Sequence, residues 1–350
     1  LPPCPVMLAK AGGATVPEGD FLYEPKWDGF RCLVFALADR VVLQGRSEDD
    51  MAYAFPEVVA MAMQLPVGTV IDGELAVVHE GRLDFGVLSS RLRPRSEAGG
   101  NIDVLAARHP AVFIAFDLLA VPGADLRGQG ALARHEALAA LPLPAGMYRT
   151  PATRDRELAT RWADVLAGAG LDGVIAKPVD GSYQPGVRAL VKVKPEHTAD
   201  VVVAGWRPHK LPGTEGQPEV GSLLLGVYDD ERRLHHIGAA SSFSAAKRRE
   251  VTAALADLAI DDEATHPWRA AAEGVRVPDA PNRWRRSAAK DLRLIDPQLV
   301  AEVRFDSLID GRFRHVARLL RWRPDRTPAS CTFAQFPAVA PLAVDDVLAW

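Results

Sequence analysis

The chain has little cysteine, since Cys4, Cys32 and Cys331 are the only three in 350 residues. Their odd number and irregular spacing argue against a disulfide framework or a cysteine metal site. No apolar run approaches the roughly 20 residues that span a bilayer. The first residues, LPPCP, lack the charged-then-apolar pattern of a signal peptide. We therefore expect a cytoplasmic protein without a membrane segment.

Size and charge set broad limits. A chain of 350 residues that is 48% hydrophobic is long enough for two ordinary domains, each with its own core. The formal net charge of -4 does not by itself indicate a polyanionic partner. Arginine-rich stretches at residues 91–95, 283–293 and 304–326 would suit phosphate binding, but each is equally compatible with a solvated surface. Composition alone leaves the partner open.

Residues 21–193 alternate β-branched, apolar runs with amphipathic stretches, which is typical of an α+β or α/β domain. The helix that we expect at residues 154–169 carries Leu158, Trp162 and Leu166 on one face and stops at Gly170. A second helix is expected at residues 131–141, and strands are expected at residues 31–36, 41–44, 69–78, 111–118 and 173–176.

The pattern changes near residue 195. Residues 195–200, PEHTAD, are polar and begin with proline, which is typical of a linker. Short strand-like runs at 201–206, 222–228 and 235–239 follow, separated by glycine and proline clusters and interrupted by a helix around 245–258. They indicate a small β-barrel. We place one domain at residues 1–197 and the other, with a C-terminal tail, at 198–350.

The run YEPKWDGFR at residues 23–31 is the first sign of chemistry. A lysine becomes a nucleophile only where desolvation or nearby cations favour its neutral form, so a lone Lys26 would more simply be a solvated side chain. Asp28 and Gly29 suit a tight turn at which the backbone approaches a ligand, and Arg31 can clamp a phosphate or ribose. The run resembles the first motif, KxDG followed by arginine, of the covalent nucleotidyltransferases, which comprise DNA ligases, RNA ligases and mRNA capping enzymes.

Further motifs of that superfamily follow in the family's order. QGRS at residues 44–47 resembles the element whose arginine, here Arg46, contacts the nucleotide or the end being sealed. VIDGEL at residues 70–75 resembles the third motif. Acidic groups in an otherwise buried strand need a partner or a metal. Glu74 is therefore expected to contact the ribose or a metal, with an ordinary ion pair as the alternative.

The next two motifs supply an aromatic ring and an acid. FIAFDLL at residues 113–119 resembles the segment whose aromatic stacks on the purine. Alternation along a strand places Phe113 and Phe116 on opposite faces. Phe116 alone would more simply be a core residue, but the motif order makes it the stacking ring. DGVIAK at residues 172–177 resembles the fourth motif, in which Asp172 replaces the usual glutamate and would bind magnesium through oxygen.

The last two motifs are basic. GVRALVKVKP at residues 186–195 resembles the fifth, and period-two spacing puts Lys192 and Lys194 on one face. Adjacent like charges require an anion between them, which we expect to be the α-phosphate. RWRPDR at residues 321–326 resembles the sixth motif, which orients the leaving pyrophosphate, with Arg326 replacing the usual lysine. The expected nucleotide contacts are Glu24, Arg31, Arg46, Glu74, Phe116, Arg188, Lys192, Lys194, Arg323 and Arg326.

The resemblance implies a compact, two-domain ATP-dependent DNA ligase of the bacterial C type. Its fold would be α+β: an ATP-grasp-like nucleotidyltransferase (adenylation) domain with antiparallel sheets, followed by a small OB-fold barrel. Lys26 would take AMP from ATP as a phosphoramidate, with Mg²⁺, or alternatively Mn²⁺, held by Glu74 and Asp172. The AMP would then pass to the 5'-phosphate of a nick. We expect a monomer that acts on nicked double-stranded DNA, in DNA repair.

Two alternatives stay open. An RNA ligase or a capping guanylyltransferase would keep this chemistry and change the substrate. The ligase-like lead-in PVMLA at residues 5–9 and the RWRPDR ending argue against capping. A non-catalytic module that binds DNA ends would have the same fold without forming the AMP adduct, and the substitutions at Asp172 and Arg326 are compatible with it.

Overall fold

The computed structural model describes residues 2–92, 102–194, 196–213, 216–278, 291–309, 311–336 and 340–350. Its contacts divide the chain into unit 1, Leu1–Pro195 with Val339–Trp350, and unit 2, Glu196–Ala338. Parts of two arginine-rich stretches, residues 93–95 and 283–290, lie outside the described residues, as does Pro195. No helix within the described ranges is long and apolar enough to cross a membrane.

Unit 1 is built on two sheets. Their strands are β1 (Ala9–Ala11), β2 (Phe21–Pro25), β3 (Phe30–Ala36), β4 (Val41–Gly45), β5 (Val70–His79), β6 (Arg82–Leu83), β7 (Ala111–Val121), β8 (Ala124–Asp125), β9 (Met147–Arg149), β10 (Val174–Pro178) and β11 (Leu190–Val193). The larger sheet has the antiparallel order β4, β3, β5, β7, β8, and the smaller has the order β1, β11, β10, β2. The strands predicted in this region are all present.

The long central strands are buried on both faces, which explains why they read as nearly continuous apolar runs. Leu75 packs in the cluster that contains Phe113, whereas its neighbour Ala76 packs in a different cluster with Trp162. Successive side chains point to opposite faces of a strand, so each strand contributes to two cores. The larger sheet therefore lies between two hydrophobic cores, one on each face.

Helices cover these sheets: α1 (Pro56–Ala62), α2 (Phe85–Ser89), α3 (Ile102–Arg108), α4 (Ala131–Ala140) and α5 (Arg156–Val165). Helix α5 begins two residues later than predicted because Asp155 caps it, accepting hydrogen bonds from the backbone N–H groups of Glu157 and Leu158. The chain then continues as a 3₁₀ turn, and Gly170, with φ of +82°, ends it as expected.

Unit 2 is an antiparallel barrel-like sheet with a covering helix. Its elements are β12 (His197–Pro208), β13 (Val220–Tyr228), β14 (Leu234–Ala240), α6 (Ala245–Ala254), β15 (Arg293–Phe305), β16 (Leu308–Ile309), β17 (Arg312–Phe313) and β18 (Arg318–Trp322). The sheet order is β14, β13, β12, β15, β18. A bridge between Ala240 and Ala317 connects the two edges.

The predicted linker at residues 195–200 is wrong, because residues 197–200 already belong to β12. They pair with β15 in a regular register, from His197 opposite Phe305 to Asp200 opposite Glu302. Ala199 is buried while Asp200 is partly exposed, so the segment is a half-buried strand whose outward residues are polar. The polar side chains concealed its alternation.

The last described segment returns to unit 1, although the sequence pattern had placed it with the barrel. Helix α7 (Val344–Leu348) buries Val344 and Val347 completely in the core that contains Trp162. The ring of Trp350 stacks on that of Trp162 with centroids 5.2 Å apart. This segment is therefore part of the nucleotidyltransferase-like unit.

Candidate active site

A cavity of about 270 Å³ opens in unit 1, with lining residues from both sheets. The smaller sheet and its neighbouring loops supply one group of side chains, and β3, β5, β7 and the turn after β4 supply the other. Nine of the residues singled out in the sequence meet here: Glu24, Lys26, Arg31, Arg46, Glu74, Phe116, Arg188, Lys192 and Lys194.

Lys26 lies directly after β2 and is fixed through its backbone to the start of β10. Its N–H donates to the carbonyl of Gly173 at 2.7 Å, and its own carbonyl accepts from the N–H of Asp172 at 3.0 Å. The Nζ of Lys26 is 2.8 Å from Oδ2 of Asp172, and the Nζ of Lys194 is 2.8 Å from the same oxygen. One carboxylate oxygen thus contacts two ammonium groups, which leaves a net positive charge.

The surroundings of that carboxylate are strongly cationic. Burial lowers the pKa of Lys192, and so do its neighbours Lys194, Lys26 and Arg188. Of the two lysines expected to share an anion, Lys194 has Asp172 as its carboxylate partner in this structure. A polyphosphate entering the cavity would meet Lys26 and Lys194, which share Asp172, together with the cations Lys192 and Arg188.

Glu74 lies on β5 in the cavity wall. Burial raises the pKa of Glu74 to about 7, against the opposing effect of Arg31 and Lys26. A Cβ added to Gly29 would lie 2.0 Å from the carbonyl oxygen of Leu75, so glycine is needed there for close packing on β5. Gly29 also lines the cavity that adjoins the first one, and its predicted approach to a ligand stays a prediction.

The described residues contain no cluster of three or more His, Cys, Asp or Glu side chains placed to hold a metal ion. Glu74 lines the cavity and Asp172 contacts Lys26, so these two acids could offer two carboxylates. That donor set fits Mg²⁺, which is commonly held by one or two carboxylates and completes its shell with water and substrate phosphates.

Phe116 projects into the cavity, whereas Phe113 is fully buried in the core, as alternation predicted. The guanidinium carbon of Arg31 lies 4.6 Å from the Phe116 ring centroid. Asp72 holds the same guanidinium by two hydrogen bonds, from Nε at 2.6 Å and from Nη2 at 2.5 Å. Although burial opposes it, Asp72 raises the pKa of Arg31, which stays a cation.

Lys177 is a lining residue that sequence reasoning did not single out. Only 3% of its side chain is exposed, its Nζ is 2.9 Å from Oε2 of Glu24, and it donates to the carbonyl of Phe116 at 2.5 Å. Burial raises the pKa of Glu24 to about 7, with Lys177 opposing the rise. Oε1 of Glu24 is buried without a hydrogen-bond partner among the described residues. The sequence signal that could have pointed to Lys177 was a single lysine directly after the apolar run at residues 173–176.

Two arginines lie at exposed positions of the cavity wall. Arg46 follows β4 in a turn and also lines an adjoining cavity that contains Asp28 and Ser47. Arg188 donates to the carbonyl of Ala9 at 3.2 Å. Both side chains are accessible to a ligand.

Arg323 and Arg326 belong to unit 2 and form a separate ionic cluster. Nη1 of Arg323 is 2.9 Å from Oδ1 of Asp200, and Nη2 is 2.7 Å from Oδ2 of Asp325. Nε of Arg326 lies 3.4 Å from Oδ2 of Asp200. Asp200, in the segment predicted as a linker, was also missed by sequence reasoning.

The cavity of unit 1 combines a lysine beside a carboxylate, a group of cations and an aromatic face. These features suit covalent chemistry on a nucleoside phosphate: the amine as nucleophile, the cations for phosphate charge, and the ring for a base. The cavity therefore gathers nine of the residues that the motifs singled out, and the roles that the motif order implied for them stay predictions.

Known proteins similar to this chain are DNA ligases. Residues 7–194 match the family model "ATP dependent DNA ligase domain", and residues 216–326 match "ATP dependent DNA ligase C terminal region". DNA ligase C2 of Mycolicibacterium smegmatis is 45% identical over 344 residues, which cover 96% of this chain and 94% of that protein. DNA ligase C of Mycobacterium tuberculosis is 42% identical over 361 residues, with coverage of 99% and 98%.

A solved Lig E DNA ligase is similar in fold, with a TM-score of 0.53 at 17% identity, covering 91% of this chain and 99% of that one. With the family models and the element order, this confirms the predicted fold class, an α+β nucleotidyltransferase domain followed by an OB-fold barrel.

Proposed function

This chain belongs to the ATP-dependent DNA ligases, and we propose that it seals nicks in duplex DNA through AMP carried on Lys26. The observation that carries the assignment of Lys26 is its position in the cavity, with Nζ 2.8 Å from Asp172. Relatives of 42–45% identity over almost the whole chain bear the name DNA ligase, which supports DNA over RNA or cap structures as the substrate. A complete set of cavity residues speaks against a non-catalytic module.

In the first step, Nζ of Lys26 forms a bond to the α-phosphorus of ATP while the bond to the pyrophosphate oxygen breaks. The ammonium must first lose a proton, and Oδ2 of Asp172 is the hydrogen-bond acceptor placed to receive it. Lys192 and Lys194 offset the charge on the phosphate. The nucleotide is held in place by groups on both sheets, which aligns the amine with the scissile bond.

Other residues are assigned by position. Phe116 would stack on the adenine, and Glu24 with Lys177 closes that part of the cavity. Glu74 and Asp172 would hold Mg²⁺, or Mn²⁺ in its place, together with phosphate oxygens, and a bound ion would further neutralise phosphate charge. We assign Arg323 and Arg326 to the leaving pyrophosphate. AMP then passes to the 5'-phosphate of the nick, and the 3'-hydroxyl displaces it. We propose that the enzyme acts as a monomer in DNA repair.

The test is labelling with α-³²P-ATP and magnesium, using the wild-type chain, Lys26→Ala and Lys10→Ala. Lys10 is an exposed lysine of β1 in the same unit that does not line the cavity, so it controls for the loss of a charge. We expect an acid-labile adduct on the wild type and on Lys10→Ala but none on Lys26→Ala. Adding nicked DNA should convert the adduct to free AMP and sealed strand.

Three kinds of result would contradict the proposal. An adduct on Lys26→Ala would remove Lys26 as the nucleophile. Labelling by α-³²P-GTP in preference to ATP, or sealing of nicked RNA but not nicked DNA, would favour the capping or RNA ligase alternative. A wild-type chain that binds nicks without any adduct would be a binding module.

A further inference from the structure

Asp72, on β5, is a completely buried carboxylate that holds Arg31, a residue of the cavity wall. Its Oδ1 accepts from Nε of Arg31, and its Oδ2 accepts from Nη2 of Arg31 at 2.5 Å and from the hydroxyl of Tyr183 at 2.6 Å. A buried charge is tolerated only when it is paired and its remaining lone pairs are hydrogen-bonded. Arg31 donates two hydrogen bonds to Asp72, and the Tyr183 hydroxyl donates a third, to Oδ2.

Tyr183 lies in the loop between β10 and β11 and is itself buried. Its hydroxyl donates to Asp72 and accepts from the backbone N–H of Met7 at 3.0 Å. Burial, and then Asp72, raise the pKa of Tyr183, so the hydroxyl keeps its proton at neutral pH. It is therefore a permanent donor in this position.

Met7 closes the network. Its carbonyl accepts from Nη2 of Arg31 at 3.2 Å, so Arg31 and Tyr183 hold the two sides of the same peptide segment. The flanking residues Val6 and Leu8 line the cavity. Their backbone groups are bonded to the loop that carries Tyr183: the Val6 carbonyl accepts from Gly186, and the Leu8 N–H donates to Val187.

The contacts therefore run from one hydroxyl to two parts of the cavity. Through Asp72 the hydroxyl fixes Arg31, which lies against the Phe116 ring, and through Met7 it fixes the wall formed by Val6 and Leu8. Arg31 and this wall are separated in the chain by β2, and the tyrosine joins them from a third segment.

We propose that Tyr183 is a positioning residue for nucleotide binding, which holds Arg31 and residues 6–8 in the geometry that the adenylation step requires. This rests on the proposed function, because the cavity is assigned to ATP. Removal of the hydroxyl leaves Asp72 with one hydrogen bond fewer and leaves the Met7 N–H buried and unpaired. The cavity keeps its residues but loses their alignment, so ATP affinity falls.

The test compares Tyr183→Phe with Tyr23→Phe in the full chain. Tyr23 is equally buried in the same unit, and its hydroxyl donates to the Pro17 carbonyl at 2.8 Å, away from Arg31 and Asp72. We expect Tyr183→Phe to raise the KM for ATP in adduct formation about tenfold, the loss of a hydrogen bond to a charged group. The rate of adduct formation by this variant at saturating ATP should change by less than about threefold. Tyr23→Phe should leave the KM unchanged.

Asp72→Asn gives a second, independent readout. Since Tyr183 acts partly through Asp72 and partly through Met7, the double variant should have a KM below the product of the two single effects, because both changes loosen Arg31. Fully additive effects on KM would overturn the proposal. So would equal KM values for Tyr183→Phe and wild type, since the tyrosine would then serve stability only. A wild-type chain that forms no adduct at all would instead refute the proposed function.

Discussion

The buried carboxyls of Glu24 and Glu74 predict a pH dependence of stability opposite to that of ion-paired surface acids. Burial raises the pKa of each group from 4.5 to about 7. Since one pKa unit is worth about 1.4 kcal/mol, each group changes the free energy of unfolding by about 3 kcal/mol across this range. The effect is large relative to a total stability of roughly 5–15 kcal/mol.

The direction follows from which state binds the proton more tightly. Both pKa values are higher in the folded chain, so between pH 4.5 and about 7 the folded state holds more protons than the unfolded state. The stabilising contribution is complete below the unfolded pKa and is lost as the pH rises through the folded pKa. The free energy of unfolding should therefore fall across this window and level off above it.

The substitution Glu24→Gln isolates one of the two contributions. Relative to wild type, the variant should gain about 3 kcal/mol between pH 4.5 and roughly 8, because it cannot lose the proton. Guanidinium unfolding of the full chain, followed by hydrogen exchange in peptides of unit 1, measures the difference. Glu18→Gln, at a side chain that is 84% exposed, is the matched control and should run parallel to wild type. Parallel profiles for Glu24→Gln as well would refute the reasoning.

Two further predictions concern residues outside the cavity. Asp200 is the shared partner of Arg323 and Arg326, which we assign to the leaving pyrophosphate. Asp200→Asn should therefore slow adduct formation, whereas the sealing of pre-adenylated nicks, which releases no pyrophosphate, should stay near wild type. Equal losses in rapid-quench assays of the two steps would contradict this. Gly168→Ala should lower the melting temperature by several degrees, because its Cβ would lie 2.2 Å from the carbonyl oxygen of Ala340 and displace the returning segment. Calorimetry measures this, and Gly128→Ala, with open space around the added Cβ, is the control that should melt like wild type.

The elements that could be predicted from sequence are those whose pattern is local. Strands β5 and β7 are long apolar runs bounded by turn residues, and alternation was enough to place Phe113 in the core and Phe116 on the other face. The stop at Gly170, after the 3₁₀ turn that follows α5, was predictable because a left-handed residue there is a local requirement.

What escaped prediction depends on contacts between distant parts of the chain. Tyr183 meets Asp72 across 111 positions, and no pattern around either residue indicates the other. Lys177 ends an apolar strand, and its partners Glu24 and Phe116 come from two other strands. The segment at residues 197–200 was misassigned because its polar outward side chains masked a half-buried strand.

Asp172 reaches two lysines although aspartate is shorter than the glutamate usual at this motif. Its side chain lacks one methylene of the glutamate usual at this motif, yet its Oδ2 lies 2.8 Å from the Nζ atoms of both Lys26 and Lys194. Paired backbone hydrogen bonds, from Lys26 to Gly173 and from Asp172 back to Lys26, hold the two segments together. Without nucleotide, this acid is the counter-ion of both Lys26 and Lys194. Under the proposed mechanism, an incoming α-phosphate would take over Lys194, which would leave Asp172 to accept the proton of Lys26.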